Sequence, residues 1–404
     1  MISPWLPVTP LDDGAFTTLR RRAIFDCDKW DPQVGDTCVI ARHPLVITQE
    51  AWTDVSALAE ALARETAAAE AELVERPDLQ RGMGLWRALR TALARAATEG
   101  LPAGCARLMR FDFHFTRDGW RISEVNSDVP GGLNESSGFA TLMRAHYPQW
   151  RPTGDPAGAY AQRVAAAAPA DEAIALVHAT AFSDDQQMMR SIGRRLQACG
   201  RTIHLASPAH VRWRGGMAHL AADWWQGPLG AVVRFFPAEW MTELPRPRDW
   251  SHWFSGSRTP LSNPATAVLT QHKRFPLIWD RLRTPLPTWR ALLPDTRSPR
   301  EVRWSGSDEW VLKPVLGRAG DGIGIAGVVA PREMRRIARQ ARWWPRNWVA
   351  QRRFDTVPVD AGPQAVFPCL GVYTLDGQVI GAYGRVARRP LIDASAADTA
   401  VLAA

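Results

Sequence analysis

The chain has 404 residues, 46% hydrophobic and 22% charged, a balance that excludes disordered, coiled-coil and collagen-like proteins and predicts two or three structural units. No apolar run is long enough to span a membrane and no signal peptide is evident, so we expect a cytoplasmic protein without a membrane partner. The net charge of +8 is spread along the chain, so no nucleic-acid partner is predicted, and neither Cys nor His residues form a metal-binding motif.

The basic residues are almost all arginine, because 46 are Arg and only three are Lys. This bias indicates that most surface cations have become Arg. A remaining Lys is therefore a candidate for a position that requires a compact ammonium rather than a planar guanidinium. Lys273 and Lys313 are interpreted in this way, whereas Lys29 is expected to tolerate replacement by Arg.

The first predicted unit, 1–160, combines a helical part with a β-hairpin. Apolar residues recur at spacings of three and four over 49–99, which predicts two amphipathic helices that separate near Arg76-Pro77-Asp78. Residues 107–125 then alternate between apolar and polar around Asp118-Gly119, a pattern typical of a β-hairpin.

The second predicted unit, 161–258, follows a Pro- and Gly-rich linker at 150–156. Strand-like and helix-like runs alternate from 173 to 236, which predicts a small Rossmann-like α/β unit with a parallel sheet. The third unit is 259–404. Its predicted elements are a helix at 273–282, a strand at 309–314, a Gly-rich loop, a helix at 331–342 and a hairpin turning at Asp376-Gly377.

The first hairpin carries a polar cluster in RFDFHFTRDGWRISEVNSD. Because side chains alternate along a strand, Arg110 shares one face with Asp112, and Glu124 shares one face with Asn126. If the two strands pair, two carboxylates and an amide oxygen converge in an oxygen-only site suited to Mg²⁺, with Arg110 beside it for phosphate. An ordinary solvated hairpin face is the alternative.

A Gly-rich segment follows Lys313 in WVLKPVLGRAGDGIGIAG. Glycines such as Gly317, Gly320 and Gly322 let backbone N–H groups approach phosphate oxygens, and the Lys adds a point charge. The segment is neither a Walker A loop nor a dinucleotide fingerprint, and a mobile lid between strands fits better. A flexible surface turn is the alternative.

Three further residues are candidates for the same site. Lys273 and Lys313 would flank one nucleotide, and Gln351 follows an apolar strand where a base could meet an amide. Arg385, near the end of the last hairpin, could clamp a phosphoryl group during transfer. A solvated basic turn is an equal explanation for Arg385.

These features together resemble the synthetase part of glutathionylspermidine synthases and the shorter acid–amine ligases related to them. The segments that carry the similarity are R-x-D at Arg110, E-x-N at Glu124, FFPAEWM at 235–241, KRFPLIW at Lys273, LKP-x-x-GRAGDGI at Leu312, Gln351 and Arg385. The resemblance implies an α/β (α+β) fold with an ATP-grasp core and an additional small Rossmann-like pre-ATP-grasp domain. It also implies circular permutation, because here E-x-N precedes the phosphate lysine.

The resemblance assigns roles to the candidate residues. The implied Mg²⁺ ligands are Asp112, Glu124 and Asn126; the implied nucleotide contacts are Lys273, Lys313, Gly317, Gly320, Gly322 and Gln351; and the implied phosphoryl-facing residues are Arg110 and Arg385. In these terms 1–160 contains the metal-binding half of the core, 161–258 the substrate domain, and 259–404 the nucleotide-binding half with its lid.

The implied activity is ATP-dependent ligation of a small-molecule or peptide carboxylate to an amine through an acyl phosphate, with ATP and Mg²⁺ as cofactors. Two departures leave both substrates unidentified: Gln186 and Gln187 stand where the family has polyamine-facing glutamates, and 129–132 lacks the hydroxylated residues of the glutathione users. A silent nucleotide-binding module, or a nucleotide-dependent enzyme of another class, is the alternative. The oligomeric state is left open.

Overall fold

The computed structural model describes residues 3–102, 104, 106–317, 320–361 and 365–404. In these parts the α-helices are α1 (Asp13–Asp26), α2 (Gln49–Val74), α3 (Pro77–Met83), α4 (Arg87–Glu99), α5 (Ala140–Arg144), α6 (Pro156–Ala167), α7 (Ser183–Ala198), α8 (Ala238–Met241), α9 (Pro247–Ser251), α10 (Val268–Gln271), α11 (Pro287–Leu292) and α12 (Pro331–Trp343). None of these helices is long and apolar enough to cross a membrane.

The same residues form five sheets. Their strands are β1 (Trp5–Leu6), β2 (Gln33–Val34), β3 (Thr37–Cys38), β4 (Leu45–Ile47), β5 (Leu108–Thr116), β6 (Gly119–Asn126), β7 (Arg151–Pro152), β8 (Ala173–His178), β9 (Ile203–Ala206), β10 (Val211–Arg214), β11 (Met217–Ala222), β12 (Trp225–Phe235), β13 (Leu261–Ser262), β14 (Thr296–Arg297), β15 (Trp310–Pro314), β16 (Trp348–Arg352), β17 (Val359–Asp360), β18 (Ala365–Leu375), β19 (Gln378–Ala387), β20 (Ala397–Thr399) and β21 (Val401–Ala403).

One six-stranded sheet joins distant parts of the chain. Its order is β20-β19-β18-β5-β6, with β17 added to β18, so the hairpin β5–β6 pairs with the late hairpin β18–β19. Both hairpins turn where the sequence predicts, because Gly119, Asp376 and Gly377 have positive φ angles. The polar residues of β5 and β6 therefore lie on a sheet completed by the last forty residues.

A second six-stranded sheet contains the predicted parallel strands. β8 pairs in parallel with β9 and β12, and β12 pairs in parallel with β13, as a Rossmann-like unit requires. Helices α6 and α7 cover it, with Ile192 and Leu196 of α7 buried against Ile174 and Leu176 of β8. The antiparallel strands β10 and β11 extend the sheet, and the sequence analysis did not predict them.

The remaining sheets position the rest of the site. β14, β16 and β15 form a three-stranded antiparallel sheet that carries Lys313 and Gln351, and α12 packs on it through Ile337 and Ala341. The order β1-β4-β21-β7 brings the described ends of the chain together, with β21 parallel to β4.

The predicted helix at 273–282 is confirmed only as a shorter 3₁₀ segment, and the prediction of its start at Lys273 is wrong. The structure has the short helix α10 followed by a 3₁₀ segment at Phe275–Arg281, and Lys273 lies in the connection between them. Pro276 lacks a backbone N–H and occupies the start of the second segment, which prevents one continuous α-helix. Arg318 and Ala319 of the Gly-rich segment, and Cys105, lie outside the described residues; the described cysteines are free thiols.

Candidate active site

The first hairpin places its polar residues on one face. Asp112 is the cross-strand partner of Glu124, and Arg110 is the partner of Asn126, with an irregularity in the register immediately after Asp112. The Asn126 amide donates a hydrogen bond of 3.1 Å to Asp112 Oδ2. The irregularity is essential to this arrangement, because the register between the turn and Phe113 would pair Asp112 with Ser123 and put Glu124 on the opposite face.

Arg110 is held in a fixed orientation. Its guanidinium donates to both oxygens of Asp112, at 2.7 and 3.0 Å, and to the Gly131 carbonyl at 2.7 Å. Its guanidinium carbon lies 5.2 Å from the centre of the Tyr383 ring. Burial lowers the pKa of Arg110, but the Asp112 carboxylate more than offsets this and raises it well above the ordinary value. Arg110 is therefore a permanent, oriented cation.

Lys273 connects the hairpin to the Gly-rich segment. Its ammonium lies 3.0 Å from Glu124 Oε2 and donates a 2.8 Å hydrogen bond to the Gly317 carbonyl. Burial raises the pKa of Glu124, but Lys273 and then Lys313 lower it by more, so its net shift is downward. The Glu124 carboxylate is therefore held in its charged form.

Lys313 ends β15 with its side chain buried at 6% exposure. Its ammonium donates a 3.0 Å hydrogen bond to the Ser123 carbonyl on β6. Burial lowers the pKa of Lys313 to about 8; the Glu124 carboxylate opposes this shift, and the charge of Lys273 adds to it. Lys313 is thus mostly charged at neutral pH, and it loses its charge at a lower pH than an ordinary lysine does.

Three glycines of the Gly-rich segment occupy positions that a residue with a side chain could not adopt without strain or a clash. Gly320 and Gly322 have φ angles of 75° and 69°, in the left-handed region that favours glycine. A Cβ at Gly320 would also lie 2.1 Å from the Ile392 carbonyl, and one at Gly317 would lie 2.4 Å from Pro314 Cγ. The segment can therefore fold closely over the end of β15.

Gln351 and Arg385 come from different sheets. The buried Gln351 amide donates a 3.1 Å hydrogen bond to Thr296 Oγ1 across β14 and β16. Arg385 donates to the Asp393 carbonyl at 2.6 Å, and its Nε lies 3.7 Å from Asp398 Oδ1. The neighbouring Arg388 is exposed and belongs to the surface.

A cleft of about 1080 Å³, including open space at its mouth, brings most of these side chains together. Among the predicted site residues, those that line it are Arg110, Asp112, Glu124, Asn126, Lys313, Gly320, Gln351 and Arg385. Lys273 borders a smaller adjoining pocket with Glu124 and Lys313. Gly317 does not line the cleft, but its carbonyl accepts a hydrogen bond from Lys273, and Gly322 does not line the cleft either. One end of the cleft is apolar, with Val311, Ile325 and Leu391 packed as one cluster.

A second cavity, of about 1460 Å³ including open space, adjoins the cleft; we call it the polar cavity. It shares Arg110, Asn126, Tyr383 and Arg385 with the cleft. Its other polar lining residues are Lys29, Asp31, Asp128, Asn134, Glu135, Asp184, Asp185, Gln187, Gln271 and Asp398. One wall is therefore cationic and the rest is rich in carboxylates.

Lys29 is the main residue that sequence reasoning missed. It is 6% exposed, and its ammonium lies 3.1 Å from Asp31, 2.8 Å from Glu135 and 2.7 Å from Asp398. Burial lowers its pKa, but these carboxylates raise it well above the ordinary value. The rarity of Lys, which identified Lys273 and Lys313, was an equally valid signal for Lys29. The sequence predicted that Lys29→Arg would be tolerated. A larger, planar guanidinium would have to replace a compact ammonium that three carboxylates contact from different residues.

The donor set of the hairpin fits a hard cation. Among the described residues no group of three or more His, Cys, Asp or Glu could hold a metal ion. The hairpin instead presents two carboxylates and one amide, and such oxygen donors suit Mg²⁺. Arg110 and Lys273 balance the charges of Asp112 and Glu124.

Comparison with known proteins identifies a family and a fold. The sequence profile described as glutathionylspermidine synthase, pre-ATP-grasp, matches residues 38–398. A glutathione synthetase-like effector from Globodera pallida has a similar structure, with 11% identity, a TM-score of 0.66, and coverage of 99% of this chain and 100% of that chain. A candidate gamma-glutamylcysteine synthetase from Methylobacillus flagellatus KT gives 13% identity, a TM-score of 0.41, and coverage of 78% and 81%.

Comparison with curated proteins gave no match. The profile covers most of the chain, and the effector structure supports the fold over its whole length. Family membership supports an ATP-dependent ligase in the broad sense. The chain therefore belongs to the glutathionylspermidine synthase family and has the mixed α/β, ATP-grasp-like fold that the resemblance implied.

Proposed function

We propose that this protein is an ATP-dependent carboxylate–amine ligase that forms an amide bond through an acyl phosphate. The observation that carries the proposal is the wall shared by the two cavities: Arg110, Asn126 and Arg385 face both the cleft and the polar cavity. A phosphoryl group at that wall can pass from a nucleotide in the cleft to a carboxylate in the polar cavity.

The cleft has the chemistry of a nucleotide site along its length. The apolar cluster of Val311, Ile325 and Leu391 suits an adenine ring, with Gln351 in the wall beside it. Lys313 and Lys273 then hold the phosphates at the hairpin end, under the Gly-rich segment. Lys313 gains most from this, because phosphate charge would stabilise its buried ammonium.

The hairpin would hold Mg²⁺ through Asp112, Glu124 and Asn126. When bound there, the ion supplies neutralising charge to the phosphates. In the structure Asp112 accepts from Arg110 and Asn126, and Glu124 pairs with Lys273. Arg110 and Lys273 would add to the neutralisation of the phosphate charge from the positions that they hold.

Arg110 and Arg385 act on the transferred group. In the first step a substrate carboxylate oxygen bonds to the γ-phosphorus of ATP and ADP leaves. In the second step an amine attacks the acyl carbon, the C–O bond breaks and phosphate leaves with a proton from the amine. The two guanidinium groups stabilise the charge of the transferred group in both steps, which is the main requirement of phosphoryl transfer.

The polar cavity would hold the acid and the amine. Asp184 and Asp185, in the first turn of α7, line it together with Asp31 and Glu135. Gln187, expected from the resemblance to weaken amine recognition, donates its amide to Asp31 at 2.7 Å and so supports the carboxylate wall. Lys29 already pairs with Asp31 and Glu135, so an amine that carries positive charge fits beside Asp184 and Asp185, and a carboxylate fits the Arg end.

We also propose that the core is circularly permuted and that the chain divides at 1–160, 161–258 and 259–404. The metal-bearing hairpin precedes Lys313 in the chain, yet β5 pairs with β18 from the last segment. This order supports a core assembled from two halves that are separated by the Rossmann-like unit.

The test is an ADP-release screen over small acids, peptides and amines with Mg²⁺, with hydroxylamine as a second nucleophile that traps acyl phosphates as hydroxamates. Wild type should release ADP only when an acid is present. Asp112→Asn should abolish this release, whereas Asp118→Asn, at the exposed turn of the same hairpin, should not. ATP binding without acid-dependent ADP release would instead identify a nucleotide-binding module.

A further inference from the structure

Helix α12 presents an outer face made of arginine and tryptophan. At 3.6 residues per turn, six of its residues fall within about 120° of arc. These residues are Arg332, Arg335, Arg336, Arg339, Arg342 and Trp343, and all are exposed. The helix is about 20 Å long. We call this face, with the adjacent Trp344, the Arg–Trp surface.

The inner face of α12 is already occupied. Ile337 and Ala341 are fully buried in a cluster with Leu312 of β15 and Trp348 and Ala350 of β16. The helix therefore cannot rotate to bury its arginines, and the Arg–Trp surface stays outward. This orientation follows from packing and not from charge.

Most arginines of this surface form no ion pair with the described residues of the chain. Arg336 pairs with Glu333 on the side of the helix, with an Nε–Oε2 distance of 2.9 Å. Within the part of the chain that the structure describes, Arg332, Arg335, Arg339 and Arg342 form no ion pair. Four unpaired like charges on one short helix repel one another, so the surface would be stabilised by an anionic partner.

Two exposed tryptophans indicate a second property of the partner, a region that accepts aromatic rings. Trp343 and Trp344 are 72% and 60% exposed, adjacent, and at the carboxyl end of the Arg stripe. A Trp buries 150–250 Å² when it is covered, and its ring prefers a boundary that is apolar on one side and wet on the other. The partner is therefore anionic and offers an interfacial region to an indole.

We infer that the Arg–Trp surface docks on a lipid membrane that contains anionic headgroups. A bilayer surface is broad enough for a convex helix, its phosphates match the arginines, and its interface accepts indole rings. Single-stranded nucleic acid is normally bound in a groove, whereas this surface is convex. Reading a duplex groove requires a projecting helix, but α12 lies against its sheet. The attachment would be peripheral, since no helix among the described residues is long and apolar enough to cross a membrane. It departs from the sequence-based expectation of no membrane partner, which rested on the lack of a spanning run.

Vesicle co-sedimentation tests the inference. Wild type should bind vesicles of phosphatidylcholine with phosphatidylserine, leave vesicles of phosphatidylcholine alone unbound, and dissociate in 1 M salt, where the Debye length is about 3 Å. Arg335→Gln with Arg339→Gln should lower the partition coefficient about 30-fold, since each cation contributes about 1 kcal/mol at such a surface. The control is the double variant Arg21→Gln with Arg64→Gln, at exposed positions on α1 and α2. It removes the same amount of charge and should change vesicle binding less than twofold.

The tryptophans are tested separately. Trp343→Ser with Trp344→Ser should weaken binding to the anionic vesicles at least tenfold, whereas Trp224→Ser, another exposed Trp, should not. Equal binding to both kinds of vesicle, or equal loss in the Arg21 and Arg64 control, would overturn the inference. An oligonucleotide that displaces the protein from vesicles and binds through Arg335 and Arg339 would also overturn it in favour of nucleic acid.

Discussion

The buried ammonium of Lys313 predicts that ATP affinity falls as the pH rises through 8. Its pKa in the free protein is about 8, below the ordinary lysine value, because the side chain is buried. The charge is therefore present below pH 8 and is lost above it. Bound phosphates would favour the charged form and restore a pKa nearer to that of an ordinary lysine. Binding above pH 8 must then take up a proton.

The size of the effect follows from this pKa. At pH 7 about nine tenths of Lys313 is charged in the free protein, and at pH 9 about one tenth. The apparent dissociation constant of ATP should therefore rise about tenfold between pH 7 and pH 9, or ~1.4 kcal/mol. Glu124 does not contribute to this change, because its lowered pKa keeps it charged over the whole range.

Isothermal titration calorimetry of ATP without divalent metal measures both the dissociation constant and the number of protons taken up on binding. Repeating the titration at pH 9 in buffers of different ionisation enthalpy should show an uptake of nearly one proton. Lys313→Arg should bind more weakly, because a planar guanidinium replaces a compact ammonium, and should lose the pH dependence because it does not titrate. Equal affinity of wild type at both pH values, or a tenfold loss that persists in Lys313→Arg, would refute the reasoning.

Three further predictions concern other residues of the two cavities. Arg385→Ala should lower kcat for ADP release by roughly 10²–10³ with little change in ATP affinity, whereas the exposed Arg388→Ala should keep both values; loss of ATP binding would make Arg385 a nucleotide contact. Lys29→Met should lower the free energy of unfolding in urea by ~3–5 kcal/mol at pH 7, because buried carboxylates lose their cation. The destabilisation should be smaller at pH 5, because burial raises the pKa of Glu135 and this carboxylate can then take up a proton. An equal destabilisation at both pH values would contradict the role of Lys29 as the counter-ion of these carboxylates. Asp112→Asn should abolish ADP release and also lower the melting temperature, because Asp112 pairs with the buried Arg110; a folded variant that keeps its activity would remove the carboxylate from the metal site.

The sequence alone determined the local elements that carry the site. Alternation and a Gly in the turn predict the hairpin β5–β6. The register that starts at this turn would pair Asp112 with Ser123, and the irregularity after Asp112, which no pattern in the sequence predicted, shifts it by one residue and places Asp112 opposite Glu124. The same local rules gave the second hairpin and the strand that ends in Lys313. The motif spacing indicated the family that the profile match then showed.

Only the tertiary structure decided which distant residues meet. The contacts of Lys273 with Glu124 and of Lys313 with Ser123 join positions far apart in the chain, and no periodic pattern encodes them. The carboxylates around Lys29 come from three separate segments of the chain, and the polar cavity that contains them is lined by still more. The outward face of α12 was set in the same way, since the sequence showed its arginines, but burial of Ile337 determined which side of the helix stays free. Local hydrogen bonds fix hairpins and helices, whereas the packing of buried side chains fixes their mutual positions.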